Sequence, residues 1–345
     1  MKKFYRLLSV ILAAAMLLSF SACGSEEETT GAQSEAPSDV STEEASVPVE
    51  KTVIKVAALK GPTAMGMVQL MDDIDSYEFT LAGAVDEVTP LVAKGEVDIA
   101  AVPANLASVL YNNLEGKVAV IAVNTLGVLY IVDHGAAVSS VADLKGKTIY
   151  ASGQGATPEY ALNYILQGNG IDPKKDVTIE WKSEHAECVS ALMNDAEGIA
   201  MLPQPFVTTA QMKDEAVHIS LDLNEEWDKV QTAAGKPGGL LTGVAIVRKE
   251  FAEAHPEELQ SFMAAYAQSV EFVNSNNAEA AALIGAKDIV PEGVALKALP
   301  YCNIVCITGD EMKEMLSEYL GVLFEQNPKA VGGQLPDYDF YFGDY

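Results

Sequence analysis

The stretch that decides the fold is Lys51-Thr-Val-Ile-Lys-Val-Ala-Ala-Leu-Lys-Gly-Pro-Thr-Ala-Met-Gly-Met-Val-Gln-Leu-Met71. Its first half, residues 53–59, is β-branched and apolar, which is typical of a strand buried on both faces. Gly61 permits a tight turn, and Pro62 is tolerated in the first turn of a helix. Apolar residues then return at helical spacing from Ala64 onward. A strand that turns directly into a helix directs free backbone N–H groups at the space above the strand end, where open α/β sheets bind ligands.

Strands and helices alternate through the rest of the chain, and the pattern starts again near residue 147. Ile99-Ala-Ala-Val-Pro103 and Ile199-Ala-Met-Leu-Pro203 share the sequence I-A-x-x-P. Each follows a predicted helix, ends a predicted strand and precedes another helix. The order of elements predicts an α/β fold of two similar lobes, each a mostly parallel sheet flanked by helices.

Residues 1–22 have the composition of a signal peptide. Lys2, Lys3 and Arg6 precede an apolar run over 7–20, and the segment ends at Ser21-Ala22. The apolar run is too short for a comfortable membrane span. Residues 24–50 are acidic, rich in small and polar residues and without aromatics, so they are predicted to form a disordered tether.

The composition excludes several functions. The formal net charge is −27, and a surface this acidic repels nucleic acid and anionic lipid headgroups, so no nucleic-acid partner is expected. Beyond Cys23 there are three cysteines. Cys302 and Cys306 flank an extended run that separates them by roughly 13 Å, too far for a disulfide. All three, with Cys188, are predicted to be buried thiols.

No motif for chemistry stands out. Gly153-x-Gly155 is not a dinucleotide fingerprint, because Pro158 occupies the third glycine position. Glu184-His185-x-Glu187-Cys188 has metal-capable side chains at helical spacing, but with one histidine it is interpreted as a solvated helix start. There is no Gly-x-Ser-x-Gly motif. The sequence therefore predicts no catalytic residue, no metal site and no cofactor.

Four features together resemble the substrate-binding lipoproteins of ABC importers, in the nitrate/sulfonate/thiamine-precursor class. Leu18-Ser-Phe-Ser-Ala22 before Cys23 resembles a lipobox, with Phe20 where leucine is usual. Gly95-Glu-Val-Asp-Ile-Ala100 resembles the strand entry G-x-x-D-x-A, and Asp143-Leu-Lys-Gly-Lys-Thr148 resembles the D-L-K-G-K that opens a second lobe. Residues 247–256 resemble the return segment and its His-Pro helix start. The likeness spans about residues 52–325.

The resemblance implies a periplasmic-binding-protein type II fold whose lobes close on a ligand about two hinge crossings. The crossings are expected at 127–132 and 240–244. Lobe 1 would comprise residues 51–131 and 241–345, and lobe 2 residues 132–240. Residues 23–50 would hold a lipidated Cys23 and the tether. The implied protein is a monomer, anchored by that lipid outside the bacterial cell membrane, with an ABC permease and its ATPase as partners.

Candidate ligand-binding residues lie at predicted carboxyl ends of strands and at the return crossing, where small residues let a ligand approach the backbone. They are Lys60, Gly61, Pro62, Thr63, Ala64, Met65, Asn105, Gly153, Gln154, Gly155, Ala156, Thr157, Gln204, Pro205, Thr242 and Gly243, with Pro103, Ala104 and Ser152 beside them.

The class of ligand follows from what the chain lacks. Arg6 and Arg248 are the only arginines, so a bidentate arginine clamp for a carboxylate or sulfonate is not expected. Aromatic residues near the strand ends are candidates for stacking on a planar heterocycle. They are Tyr111, Tyr130, Tyr160, Trp181 and Phe206. A pyrimidine or thiamine-precursor-like solute is favoured over a sulfonate-like one.

Two alternative functions share the same pattern. Some enzymes of thiamine-pyrimidine or menaquinone pathways resemble this fold, but this chain lacks the cysteine-rich run of the pyrimidine synthases and is exported. A partner protein that presents ligand to a membrane sensor kinase would have the same sequence features.

Overall fold

The computed structural model describes residues 52–135, 138–236 and 238–343. The predicted signal peptide, Cys23 and tether lie outside these residues. Two sheets organise the described part of the chain. The larger sheet has the strand order β11-β4-β10-β3-β1-β2. Its strands are β1 Ile54–Leu59, β2 Tyr77–Ala82, β3 Ile99–Pro103, β4 Val118–Leu126, β10 Leu241–Arg248 and β11 Ile304–Ile307.

The smaller sheet has the order β7-β6-β8-β5-β9. Its strands are β5 Leu129–Asp133, β6 Thr148–Ser152, β7 Thr178–Lys182, β8 Ile199–Pro203 and β9 His218–Asp222. The two sheets share a parallel core of three strands. In the larger sheet β1 pairs in parallel with β2 and β3, and in the smaller sheet β6 pairs in parallel with β7 and β8. The strand that follows each passage between the sheets pairs antiparallel to this core. β10 pairs with β3 in the larger sheet, and β5 pairs with β8 in the smaller one. Most strands of each sheet therefore run in the same direction, as predicted, and the strand that follows a passage between the sheets runs in the opposite direction.

Twelve helices cover the sheets in the described residues. They are α1 Pro62–Met65, α2 Val85–Lys94, α3 Ala104–Asn113, α4 Thr157–Gly168, α5 His185–Met193, α6 Phe206–Lys213, α7 Leu223–Ala233, α8 Lys249–Ala254, α9 Pro256–Ser275, α10 Asn277–Ala286, α11 Glu292–Ala298 and α12 Gly309–Gln326. In the part of the chain that the structure describes, no helix combines the length and apolarity needed to cross a membrane.

The opening stretch folds as a buried strand and a turn, as predicted, but the helix after it is shorter than expected. α1 is a single turn with Gly61 as its N-cap, and a second short helical turn follows at Leu70–Asp72. The apolar residues that suggested a longer helix are nonetheless buried, among them Met67 and Val68. Gly61 has φ 125°, a conformation that side chains rarely adopt, and Gly66 lies against Ile304, so the glycines shape this segment more than helical periodicity does.

The chain passes between the sheets twice. β4 ends at Leu126 in the larger sheet, and β5 begins at Leu129 in the smaller one, so residues 129–131 pair with the smaller sheet. The return passage leads from α7 into β10. Gly127 marks the first passage, because a Cβ there would lie 2.9 Å from Asn224 and 3.0 Å from Leu240. A larger side chain at that position would force the two passages apart.

The C-terminal arm, residues 327–343, packs on the larger sheet. Ser108 and Asn112 of α3 donate hydrogen bonds to the Val331 carbonyl. Phe340 is fully buried, and the backbone N–H of Phe342 donates to the Val120 carbonyl. The final segment thereby covers α3 and β4. The three cysteines are free thiols, with Cys188 and Cys302 buried as predicted and Cys306 half-buried.

Candidate ligand-binding cleft

A cavity of about 300 Å³ lies where the carboxyl ends of β3 and β8 face each other across the two passages. The strand pairing explains this position. Gly243 of β10 lies opposite Pro103 of β3, and Leu129 of β5 lies opposite Pro203 of β8. We call it the cleft cavity, and its lining residues are Val85, Pro103, Asn105, Leu106, Val128, Leu129, Ala156, Thr157, Pro158, His185, Pro203 and Thr242.

Three helices begin at the wall of the cleft cavity. α3 starts at Ala104, α4 at Thr157 and α5 at His185, and in each case the N-cap residue makes no side-chain hydrogen bond to the helix. The first N–H groups of a helix have no partner within it and carry the positive end of its dipole. These helix starts therefore offer hydrogen-bond donors to a ligand in the cavity. α4 contributes fewer than the others, because Pro158 has no N–H and the Glu159 N–H donates to the Ala156 carbonyl.

Asn105 and Thr157 approach each other across the cavity from the two sheets. The Thr157 hydroxyl donates to Asn105 Oδ1 at 3.3 Å, and Asn105 Nδ2 donates to the Ala330 carbonyl at 3.2 Å. Behind them, the buried Tyr319 hydroxyl donates to Thr157 Oγ1 at 2.9 Å. The polar wall of the cavity is thus tied to α12 and to the C-terminal arm.

His185 is the one titratable side chain among the lining residues. Its Nδ1 lies 2.5 Å from the hydroxyl of the buried Ser152, and its ring packs against Phe206 with centroids 5.1 Å apart. Burial lowers the pKa of His185 to about 4, because the surroundings disfavour the charged imidazolium. At neutral pH the imidazole is uncharged.

The cleft cavity is therefore mainly apolar and carries no charged side chain at neutral pH. Seven of its twelve lining residues are Val, Leu or Pro. Lys60, the cation among the predicted ligand-binding residues, lies elsewhere and pairs with Asp288 at 2.6 Å, and Arg248 pairs with Asp98 at 2.8 Å. A solute in this cavity would be held by shape, by apolar contact and by a few hydrogen-bond donors.

The structure brings four of the predicted ligand-binding residues into the cavity wall, namely Asn105, Ala156, Thr157 and Thr242. Gly243 and Thr63 lie close behind Thr242. A Cβ on Gly243 would lie 2.5 Å from Asn124 Oδ1 and 2.6 Å from Thr63 Cγ2, so Gly243 permits close packing rather than ligand contact.

The other predicted residues lie outside the wall. Ala64 and Met65 are fully buried in the core between the larger sheet and α9, and Gly61 and Pro62 form the start of α1. In the second turn, Gln154 is exposed, and the N–H of Gly155 is taken by Glu159. Gly153 packs on Pro158, where its absent side chain leaves room.

Gln204 and Pro205 shape the turn after β8. Gln204 is buried, and its Oε1 accepts hydrogen bonds from the backbone N–H and the hydroxyl of Thr208. The Gln204–Pro205 peptide bond is cis. Of the five aromatic residues considered for stacking, none is a lining residue of the cleft cavity, although Phe206 supports His185.

Sequence reasoning missed seven lining residues: Val85, Leu106, Val128, Leu129, Pro158, His185 and Pro203. Two of them had a usable signal. Pro203 stands at the same place in the I-A-x-x-P repeat as the candidate Pro103, and His185 had been considered only as a metal ligand. Within the described ranges, no group of three His, Cys, Asp or Glu side chains could hold a metal ion. Val85 and Leu106 have no signal beyond being apolar.

The fold is that of type II periplasmic binding proteins. A crystal structure of an ABC transporter protein from Parabacteroides distasonis superposes with a TM-score of 0.73 at 24% sequence identity, covering 86% of this chain and 100% of that one. The periplasmic aliphatic sulphonate binding protein SsuA of Escherichia coli gives 0.65 at 15%, covering 85% and 96%. The periplasmic nitrate-binding protein NrtA of Synechocystis PCC 6803 gives 0.52 at 13%, covering 72% and 70%.

The NMT1/THI5-like family model matches residues 81–280, more than half of the chain, and the chain belongs to that family. The search of curated proteins found no match to this chain. The predicted nitrate/sulfonate/thiamine-precursor class and the two-sheet fold are thereby confirmed. The titles of these solved structures name a transporter protein and two binding proteins, in agreement with the prediction that the chain is not an enzyme.

Proposed function

We propose that this protein is the extracytoplasmic solute-binding component of an ABC importer, and that it holds a small organic solute in the cleft cavity. The observation that carries the proposal is which structural elements form the wall of that cavity. Strand ends and helix starts from both sheets converge on it, and both passages between the sheets border it. Closure of two lobes about those passages would enclose a solute there.

The ligand is a compact solute that is uncharged or mainly heteroaromatic, of the pyrimidine or thiamine-precursor type. Three features support this choice over a sulfonate-like solute. The lining residues include no lysine or arginine, the histidine is neutral, and the wall is mostly apolar. A sulfonate would depend on the three helix starts alone for its negative charge, which is the weaker arrangement.

The proposal includes the lobe division and the anchor predicted from the sequence. Residues 51–131 with 241–345 would move against residues 132–240, and Cys23 would carry the lipid that holds a monomer at the outer face of the membrane. The acidic tether of residues 24–50 would span on the order of 30 Å as a coil, enough for the binding protein to reach its permease.

A thermal-shift screen tests the binding role directly. We expect 4-amino-2-methylpyrimidine or a related pyrimidine to raise the melting temperature, and to reduce the radius of gyration in small-angle scattering, because ligand bound only to the closed state stabilises it. Ethanesulfonate and nitrate form the comparison set. No shift with any of these compounds would contradict the proposed ligand classes, and a larger shift with ethanesulfonate would reverse the order of preference.

A second measurement distinguishes binding from turnover. After incubation with an excess of purified protein, mass spectrometry should recover the pyrimidine unchanged. A new product would favour the enzyme alternative.

Labelling with radioactive palmitate in the source cells, and its loss in Cys23→Ala, tests the anchor.

A further inference from the structure

We propose that Tyr319, which lies outside the cleft cavity, is a positioning residue that orients the Thr157 and Asn105 side chains of its polar wall. The inference rests on the proposed binding function and makes it more specific: an acceptor atom of the solute faces the free hydrogen of Asn105 Nδ2. Tyr319 lies on α12, is 1% exposed, and reaches the cavity only through Thr157.

The direction of each hydrogen bond follows from one fixed point. The Ala330 carbonyl can only accept, so the atom of Asn105 that faces it is Nδ2, and Oδ1 must face Thr157. Oδ1 can also only accept, so the single hydroxyl hydrogen of Thr157 is directed to it. The hydrogen between Thr157 and Tyr319 must then come from Tyr319, at 2.9 Å.

This chain of hydrogen bonds determines what Asn105 offers to a ligand. One lone pair of its oxygen accepts from Thr157, and one hydrogen of Nδ2 is donated to the Ala330 carbonyl. The second Nδ2 hydrogen remains for the half-exposed side of the residue, which lines the cavity. Together with the N–H groups at the start of α3, it forms a set of donors for which a ring nitrogen or a carbonyl oxygen is the complementary ligand atom.

The same contacts join the two sheets on one side of the cavity. Asn105 lies in the first turn of α3 beside the larger sheet, and Thr157 begins α4 beside the smaller one. α12 touches α4 at a second point, where Asn327 donates to the Tyr160 hydroxyl at 2.9 Å and Gln326 donates to the Tyr160 carbonyl. Tyr319 therefore orients the polar wall from a helix that also holds the start of α4 in place.

Tyr319→Phe removes the hydroxyl and little else, and the chain offers a matched control. Tyr266 of α9 is also fully buried, but its hydroxyl has no hydrogen-bond partner among the described residues, so Tyr266→Phe deletes the same atom without breaking a bond seen there. We expect Tyr319→Phe to weaken calorimetric binding of 4-amino-2-methylpyrimidine about five- to tenfold, the effect of one lost hydrogen bond, and Tyr266→Phe to change it less than about twofold.

Coupling to Thr157 separates positioning from a general loss of structure. If Tyr319 acts through Thr157, then Tyr319→Phe adds no further loss of affinity to Thr157→Val, which has already removed the hydroxyl. An equal loss in Tyr319→Phe and Tyr266→Phe, or a full additional loss in the Thr157→Val background, would overturn the proposal.

Urea unfolding of the ligand-free protein tests the hydrogen bond between Tyr319 and Thr157 even if no probe binds. We expect the midpoint of Tyr319→Phe to lie below that of Tyr266→Phe, and this difference to vanish when Thr157 is valine. If the pyrimidine and ethanesulfonate both fail to bind the wild-type protein while this coupling is present, the proposed ligand classes are wrong and the hydrogen-bond chain stands. Absence of the coupling would overturn the chain, whichever compound binds.

Discussion

The first turns of the two sheets have similar sequences and different roles. β1 is followed by Lys60-Gly61-Pro62-Thr63, and β6 by a small-residue turn that ends at Thr157-Pro158. After β6 a helix of twelve residues begins at the cleft cavity, and no side chain of its N-cap residue closes the first turn. After β1 the helix is one turn long, and the Thr63 hydroxyl donates back to the Leu59 carbonyl. The first turn thus supports the core, and the second contributes to the site.

The two I-A-x-x-P strand ends differ in a similar way. Pro103 and Pro203 both line the cleft cavity, and β3 and β8 have the same burial pattern and the same kinds of neighbours. The polar residue stands two places after Pro103 but one place after Pro203. Asn105 therefore lies in the first turn of α3 and faces the cavity, whereas Gln204 turns inward to Thr208. A shift of one residue separates a cavity-lining side chain from one that hydrogen-bonds within its own turn.

The largest expected effect comes from the first turn. Met65→Ala removes a fully buried side chain of α1, and we expect it to lower the free energy of unfolding by about 2–5 kcal/mol. Met212→Ala, at an exposed position of α6, should change it by less than about 0.5 kcal/mol. Solute affinity measured well below the melting temperature should be unchanged in both. A specific loss of affinity in Met65→Ala, without loss of stability, would make the first turn a ligand element.

The pH dependence of stability tests the environment of His185 on the side of the second sheet. Its pKa is about 4 in the folded protein and about 6.5 unfolded, so above pH 6.5 both states are neutral. As the pH falls from 6.5 to 4, the unfolded state binds a proton that the folded state does not. Stability therefore decreases across this window, by on the order of 2 kcal/mol after allowance for partial exposure.

His185→Asn should remove that part of the pH dependence, because its amide can still pair with Ser152 but does not titrate in this range. Other groups contribute to acid unfolding, including Asp133, whose pKa is lowered by hydrogen bonds from Ser220 and backbone groups. The difference between wild type and His185→Asn in urea midpoint, measured from pH 7 to pH 4, isolates the histidine. Parallel curves would show that His185 is not buried in this way.

The two strand ends give a pair of variants with opposite expectations. Asn105→Ala should weaken solute binding about tenfold or more, because it removes a cavity donor and its bond to Ala330. Gln204→Ala should leave affinity nearly unchanged and lower the free energy of unfolding by about 1–3 kcal/mol, since the Thr208 groups lose their acceptor. Calorimetric titration and urea unfolding of both variants measure the two effects. The reverse result would exchange the roles of the two residues.

The sequence predicted the architecture well because strands and helix starts are local signals. Buried strands, glycine turns and the I-A-x-x-P repeat each depend on a few neighbouring residues. The direction of individual strands and the length of α1 were harder to predict. The antiparallel pairing of β10 and β5 depends on where the chain passes between the sheets, and α1 ends before Gly66, which packs on Ile304. The turn residues could be recognised from the sequence, but the apolar residues of the cavity wall could not. In the sequence, Val85 and Leu106 do not differ from residues of the hydrophobic core, and only the arrangement of the sheets places them at the cavity.

The smallest expected effect is at Lys60, the cation of the first turn that the sequence predicts to bind the ligand. Its ammonium pairs with the exposed Asp288, whose pKa it lowers, and neither residue lines the cleft cavity. Exposed ion pairs contribute little, since water and salt screen them. Lys60→Gln should therefore change neither the affinity for 4-amino-2-methylpyrimidine nor that for ethanesulfonate, in titrations at low and at moderate salt. A selective loss of ethanesulfonate binding, greater at low salt, would show that Lys60 leaves Asp288 for the ligand and that the first turn acts on the solute as the second does.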